Sequence, residues 1–161
     1  MTIKVGDHIP AATLMKATAG GPVPITTDQL FKGRTVVLFG VPGAFTPTCS
    51  AKHLPGFVQH AADFTGKGVD EIVCVAVNDA FVMDAWGKQA GADGKVTMVA
   101  DGNGTFAEAI GLTMDGTAYG MGKRGQRYAM LVKDGVVEKL FVEEGGAFRV
   151  SSAEYMLGEL A

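Results

Sequence analysis

Thr35-Val36-Val37-Leu38-Phe39-Gly40-Val41-Pro42-Gly43-Ala44-Phe45-Thr46-Pro47-Thr48-Cys49 reads as a buried strand, a rigid turn and a helix start in direct succession. Residues 35–41 are apolar and rich in β-branched side chains, with Gly33 before them and Pro42 after, which predicts a short core strand. Two prolines and a glycine then stiffen the turn. A helix is expected over residues 48–64, broken at Pro55-Gly56 because proline removes a backbone donor. Cys49 therefore falls in the first turn of a helix fed by a core strand. The first N–H groups of a helix are unpaired and its macrodipole is positive there, so a thiolate is favoured and a cysteine becomes nucleophilic. Thr46 or Thr48 is expected to cap this helix, and either hydroxyl can face the sulfur.

Outward from this stretch the pattern alternates. Residues 1–24 read as an irregular lead-in with a short strand near Thr13-Leu14-Met15 and a turn at Gly20-Gly21-Pro22. Residues 26–31 read as a short capped helix ending by Gly33. Residues 70–78 form a second apolar run, read as a central strand with both faces buried. Asp79 caps a helix over 80–90, with Met83 and Trp86 on its inner side, and residues 96–100 give a third strand. A short helix over 105–110 is followed by a glycine-rich loop to Gly125. Residues 126–133 and 136–143 form a hairpin around Asp134-Gly135, and Ser151-Ser152-Ala153-Glu154 reads as a capping box into a last helix. This order predicts an α/β fold, with helices on both faces of a central sheet closed by an antiparallel hairpin, in one domain over residues 1–161.

The 161 residues are 47% apolar and 19% charged with a net charge of −3, which suits a soluble globular chain. Lysines and arginines are scattered and slightly outnumbered by acids, so neither nucleic acid nor an anionic membrane is an expected partner. No apolar run is long enough to span a bilayer, and the first residues lack the layout of a signal peptide. Two cysteines do not make a disulfide framework, and a cytoplasmic setting with reduced thiols is expected. Metal binding is not expected: Cys49 and His53 stand four apart, but His8, His60 and Cys74 add no ligand spacing.

The string from Pro42 to Cys49, followed by Ser50-Ala51-Lys52-His53-Leu54-Pro55-Gly56, resembles the active-site segment of peroxiredoxins, specifically the type II or peroxiredoxin-5-like subgroup. Pro42, Thr46 and Cys49 fit that family's Pro-x-x-x-Thr-x-x-Cys pattern. The resemblance implies a thioredoxin-like fold with a central mixed sheet, and a thiol peroxidase that uses Cys49 and needs no bound cofactor. It implies that Pro42 shields the site, that Thr46 bonds the sulfur and the peroxide, and that Arg127 of Arg124-Gly125-Gln126-Arg127-Tyr128 contacts both. Arg124 is left as a supporting charge, and His53 as structural or a modest electrostatic influence.

Cys74 has two readings that the residues leave open. It is either a buried core thiol or, as the resemblance implies, a resolving cysteine that forms a disulfide with Cys49. Its place in the middle of a strand favours the first. The resemblance further implies glutathione with glutaredoxin, or thioredoxin, as reductant, and a homodimer. Ala44-Phe45, Phe81-Val82-Met83 and Trp86 are the apolar candidates for that contact. A disulfide oxidoreductase is disfavoured because Cys-x-x-Cys is missing. A peroxide-responsive sensor or binding module without turnover is the reading from a different class.

Overall fold

The computed structural model describes residues 2–144 and 147–160. Its frame is a seven-stranded mixed sheet in the order β2-β1-β5-β4-β3-β8-β9. The organising run forms β3 (Thr35–Val41), which pairs in parallel with β4 (Glu71–Ala76) and antiparallel with β8 (Tyr128–Lys133). β5 (Thr97–Ala100) extends the parallel part beyond β4. The far edge is a hairpin of β1 (Thr13–Thr18) and β2 (Gly21–Thr26), with β1 antiparallel to β5. β9 (Val136–Val142) closes the other edge. The turn between β8 and β9 has positive φ at both Asp134 (48°) and Gly135 (77°), as a tight primed hairpin turn requires.

Alternation along the strands builds two apolar layers. On one face Val37, Phe39 and Val41 of β3 and Ile72, Cys74 and Ala76 of β4 pack against helices. Those are α2 (Leu54–Gln59), α3 (Ala61–Gly66), α4 (Ala80–Ala90) and α6 (Ala153–Glu159), which contribute residues such as Phe57, Phe64, Trp86 and Met156. On the opposite face Val36, Leu38, Val73 and Val75 meet α1 (Thr27–Phe31) and α5 (Thr105–Ile110) through Leu30, Phe31, Phe106 and Ile110. Burying one such aromatic side chain stabilises the fold by about 2–3 kcal/mol. The layering is the thioredoxin-like α/β architecture that the resemblance implies.

Four local expectations differ from the structure. Residues 13–26 form a hairpin, where only one short strand was expected. The glycine-rich stretch after α5 contains a second small sheet of β6 (Thr113–Asp115) and β7 (Lys123–Gly125). Pro55 does not break the helix: residues 47–59 are helical throughout, with a π-helical turn at Cys49–His53 in which the Leu54 N–H reaches back to the Cys49 carbonyl. This wider turn gives the proline ring room, and the break comes at His60 instead (φ −99°, ψ 12°). Finally, Ser152, not Ser151, caps α6, accepting from the Tyr155 N–H, so no capping box with Glu154 forms.

Gly40 marks the tightest packing in the central strand. A Cβ built there would lie 2.3 Å from Tyr128 Cε2 and 2.6 Å from its Cζ, and Tyr128 is itself buried. Gly40→Ala is therefore expected to destabilise the fold by about 1–3 kcal/mol through overpacking. Urea unfolding should report it as a lower midpoint at unchanged slope, and an unchanged midpoint would contradict the packing described.

Candidate active site

Cys49 lies where β3 hands over to the helix, in the first turn after Pro47, and it is fully buried. Three residues brace the segment around it. Asn78 Oδ1, beyond the end of β4, accepts from the Ala44 N–H at 2.8 Å. Arg124 on β7 donates from Nη1 to the Pro42 carbonyl at 3.3 Å and from Nε to the Met121 carbonyl at 3.0 Å. Trp86 Nε1 of α4 donates to Ser50 Oγ at 3.0 Å. Phe45, at the tip, has φ 64°, a left-handed conformation uncommon for a bulky side chain and a form of strain found at functional loops.

Arg127 sits immediately before β8 and meets the sulfur. Its Nη2 donates to Cys49 Sγ at 3.1 Å, while Nη1 donates to His53 Nδ1 at 2.9 Å. On the other side of its ring His53 donates from Nε2 to the Ser151 carbonyl at 2.9 Å. Phe39, Phe57 and Phe148 surround that imidazole at ring-centroid distances of 4.8, 5.7 and 5.1 Å, and the Arg127 guanidinium carbon lies 5.8 Å from the Phe148 centroid. Beside them opens a cleft of about 800 Å³, whose walls include Pro42, Thr46, Met114, Tyr119 and Arg127.

A family model described as Redoxin matches residues 4–157. This chain is a peroxiredoxin of the type II subgroup. It is 46% identical to Peroxiredoxin-2B of Arabidopsis thaliana over 98% of each chain. It is 48% identical to the chloroplastic Peroxiredoxin-2E of the same plant, over 99% of this chain and 70% of that protein. Among solved structures, reduced Prx3 from Vibrio vulnificus in complex with H2O2 is 49% identical and superposes with a TM-score of 0.95, covering 99% of this chain and 100% of its own. Oxidized Prx3 from the same organism gives 0.90. As a peroxiredoxin the protein is a thiol-dependent peroxidase that works through a peroxidatic cysteine.

In this peroxiredoxin His53 is a neutral acceptor toward Arg127. An arginine can only donate and a carbonyl can only accept, so the two contacts fix the Nε2–H tautomer. Burial, and then the Arg127 charge, lower its pKa to about 3 against the pull of the Ser151 carbonyl. Thr46 is placed differently from expectation. Its hydroxyl donates to the Gly43 carbonyl at 2.7 Å and caps no helix N–H, because the loop folds back on Gly43. Thr48 makes no side-chain cap either. Among the described residues Arg127 is the donor to the sulfur.

Cys74 lies at the centre of β4, opposite Phe39 on β3 and Met98 on β5, and faces the same apolar layer as Cys49. Burial, and secondarily the nearby Cys49, push its thiol pKa well up. Both cysteines are unpaired. Arg124 does not reach the sulfur; it braces the Pro42 loop. No cluster of three or more His, Cys, Asp or Glu able to hold a metal occurs among the described residues, and none of their helices is long and apolar enough to cross a membrane. Sequence reasoning missed Asn78, Phe148 and Ser151. Asn78 had a signal, as a polar residue ending an apolar strand. The other two come from segments distant in sequence.

The neutral His53 has a consequence for stability. Its folded pKa lies below the unfolded value of 6.5, so the unfolded chain binds more protons between pH 6.5 and about 3. The stability it contributes is full above pH 6.5 and is lost as pH falls, with a slope approaching about 1.4 kcal/mol per pH unit. His60 acts in the opposite sense: its hydrogen bond to Asp63 raises its pKa, so its small, partly exposed contribution is lost as pH rises above 6.5. Imidazole NMR should leave His53 unprotonated down to pH 5 while His60 titrates, and a His53 that titrates near 6.5 would contradict the buried bond to Arg127.

Proposed function

We propose that Cys49 is the peroxidatic cysteine and that Arg127 is its catalytic partner. The observation that carries the reading is the guanidinium donating to Sγ at 3.1 Å while its other arm is held by His53. The Cys49 thiolate attacks the terminal oxygen of a peroxide, hydrogen peroxide or an alkyl hydroperoxide. An S–O bond forms, the O–O bond breaks, and water or alcohol leaves after taking a proton, so the sulfur is oxidised by two electrons to sulfenic acid. Arg127 offers a fixed positive charge both to the thiolate and to the charge developing on the departing oxygen. Thr46 spends its own proton on Gly43, which leaves its oxygen lone pairs to accept the peroxide O–H. Pro42 walls the cleft, its carbonyl fixed by Arg124.

Reduction then needs outside thiols. One attacks the sulfenic acid to give a mixed disulfide and water, and a second releases the Cys49 thiol. We assign this role to a thioredoxin-type reductant or to glutathione with glutaredoxin, in a cytoplasmic setting. The two unpaired cysteines suit a compartment that keeps thiols reduced. Cys74 is read as core. β4 is hydrogen-bonded on both sides by β3 and β5, so moving its sulfur to Cys49 would require opening the sheet. A homodimer is proposed through the loop beside the site. Phe45 and Phe81 are 47% and 68% exposed there, whereas Met83 and Trp86, expected in the same patch, are buried core.

Cys49→Ser should abolish steady-state peroxide consumption, since a hydroxyl there stays protonated. Arg127→Ala should slow Cys49 oxidation about a hundredfold to a thousandfold. Retained turnover in the first variant would move the nucleophile elsewhere, and an unchanged rate in the second would remove Arg127 from the chemistry. For Cys74, intact mass after one equivalent of peroxide should rise by one oxygen with one thiol left to alkylate. Loss of two hydrogens with no free thiol would mean a Cys49–Cys74 disulfide. Light scattering at micromolar concentration should give twice the 16.7 kDa chain mass, and Phe81→Asp should lower it; a wild-type monomer would refute the dimer.

A further inference from the structure

Glu143 is a buried acid just past the end of β9, 5% exposed, that the peroxidase chemistry does not itself use. One of its carboxylate oxygens, Oε2, accepts four hydrogen bonds: from the N–H groups of Arg149, Val150 and Ser151 at 2.8, 2.9 and 2.8 Å, and from Ser151 Oγ at 2.6 Å. Three successive backbone N–H groups turned onto one anion form a nest, which depends on a full negative charge at its centre. Burial opposes that charge, but the Ser151 hydroxyl and the three N–H groups prevail and hold the carboxyl below its usual range.

The nest fixes the backbone at Ser151, whose carbonyl accepts from His53 Nε2. His53 Nδ1 accepts from Arg127 Nη1, and Arg127 Nη2 reaches Cys49 Sγ. The Glu143 N–H in turn donates to the Arg127 carbonyl at 2.9 Å. The contacts close a ring: Arg127 backbone, Glu143, Ser151, His53 and the Arg127 guanidinium. A ring of this kind fixes both ends of the arginine, which otherwise has about 2 kcal/mol of rotamer freedom to lose.

We propose that Glu143 is a positioning residue for the oxidation of Cys49, setting the direction of the Arg127 guanidinium through the Ser151 carbonyl and His53. The proposal rests on Arg127 acting on Cys49, as assigned above. Glutamine at this position keeps the size but lacks the charge, and an amide oxygen is a poor centre for four donors. The guanidinium is then held from one side only, and small misplacements of a catalytic group are costly to rate.

A double-mutant cycle tests it. Trp86 is the chain's one tryptophan and bonds Ser50 beside Cys49, so its fluorescence can follow single-turnover oxidation by hydrogen peroxide. Glu143→Gln should slow oxidation about tenfold to a hundredfold in the parent, and less than about twofold in an Arg127→Ala background. Equal loss in both backgrounds, or none in the parent, overturns the proposal. If Arg127→Ala alone leaves the rate unchanged, the assignment of Arg127 fails first and the proposal falls with it. Glu143→Asp keeps the charge but withdraws it by one methylene; it supplies the same cycle if Glu143→Gln folds poorly, with a smaller loss that must also vanish without Arg127. The His53 ring reports the link without turnover. In Glu143→Gln the bond from Nε2–H to the Ser151 carbonyl should weaken and the Nε2–H proton should move upfield, and an unchanged Nε2–H signature overturns the route through Ser151.

Discussion

The Arg127 guanidinium is a planar fork, and both of its outer nitrogens are taken. Nη2 points at the Cys49 sulfur and Nη1 at His53. A cation beside Phe148 with only one of those contacts would be free to swing or would have to stay hydrated. Because a neutral imidazole supplies the second contact, the charge is directed toward the sulfur without a second charge to neutralise it. A carboxylate at the His53 position would pair with Arg127 and draw its field away from Cys49. The choice of a buried neutral acceptor is what leaves the positive charge available to a thiolate.

Everything around that fork serves to hold it against the helix start. The sheet delivers Cys49 from the end of β3 and Arg127 from the start of β8, two neighbouring antiparallel strands. The residues that follow the one and precede the other thus arrive at the same end of the sheet, and Gly40, packed under the Tyr128 ring, lets those strands approach. The loop between Pro42 and Thr48 is braced by Asn78, beyond the end of β4, and by Arg124 of β7, while Trp86 of α4 holds Ser50 in the helical turn that follows. The π-helical turn at Cys49–His53 widens the helix where Pro55 follows, and it brings Cys49 and His53 onto Arg127 together.

The two cysteines show how far position outweighs composition. Both are buried and both face the helix layer that carries Phe57 and Trp86. Cys49 is at a helix start beside a guanidinium, whereas Cys74 is clamped between β3 and β5, where burial dominates and keeps it a thiol. Chemistry requires a donor within reach and a backbone that can admit substrate. Among the described residues only the first cysteine has the donor, and that donor, Arg127, lines the cleft.

Much of this was legible in the chain itself. Residues 35–49 declare a core strand, a stiff turn and a cysteine at a helix start, because β-branched runs, prolines and helix termini act locally. The helices at 80–90 and 105–110 and the Asp134-Gly135 turn were equally readable, since caps and turn residues work within a few positions. The short strands β2, β6 and β7 were not, since Gly-Pro-Val-Pro and Lys-Arg-Gly carry no alternating pattern and are strands only because a partner pairs with them. In the same way Thr46 turned to Gly43, and Ser151 to Glu143, because tertiary partners outcompeted the local capping roles their types suggest. The sequence alone determined that Cys49 stands at a helix start behind a core strand, and the order of the elements around it. The tertiary structure decided which groups gather around that cysteine, because Arg127, His53 and Glu143 meet only across hydrogen bonds between segments far apart in the chain, and no local rule of propensity or spacing encodes such contacts.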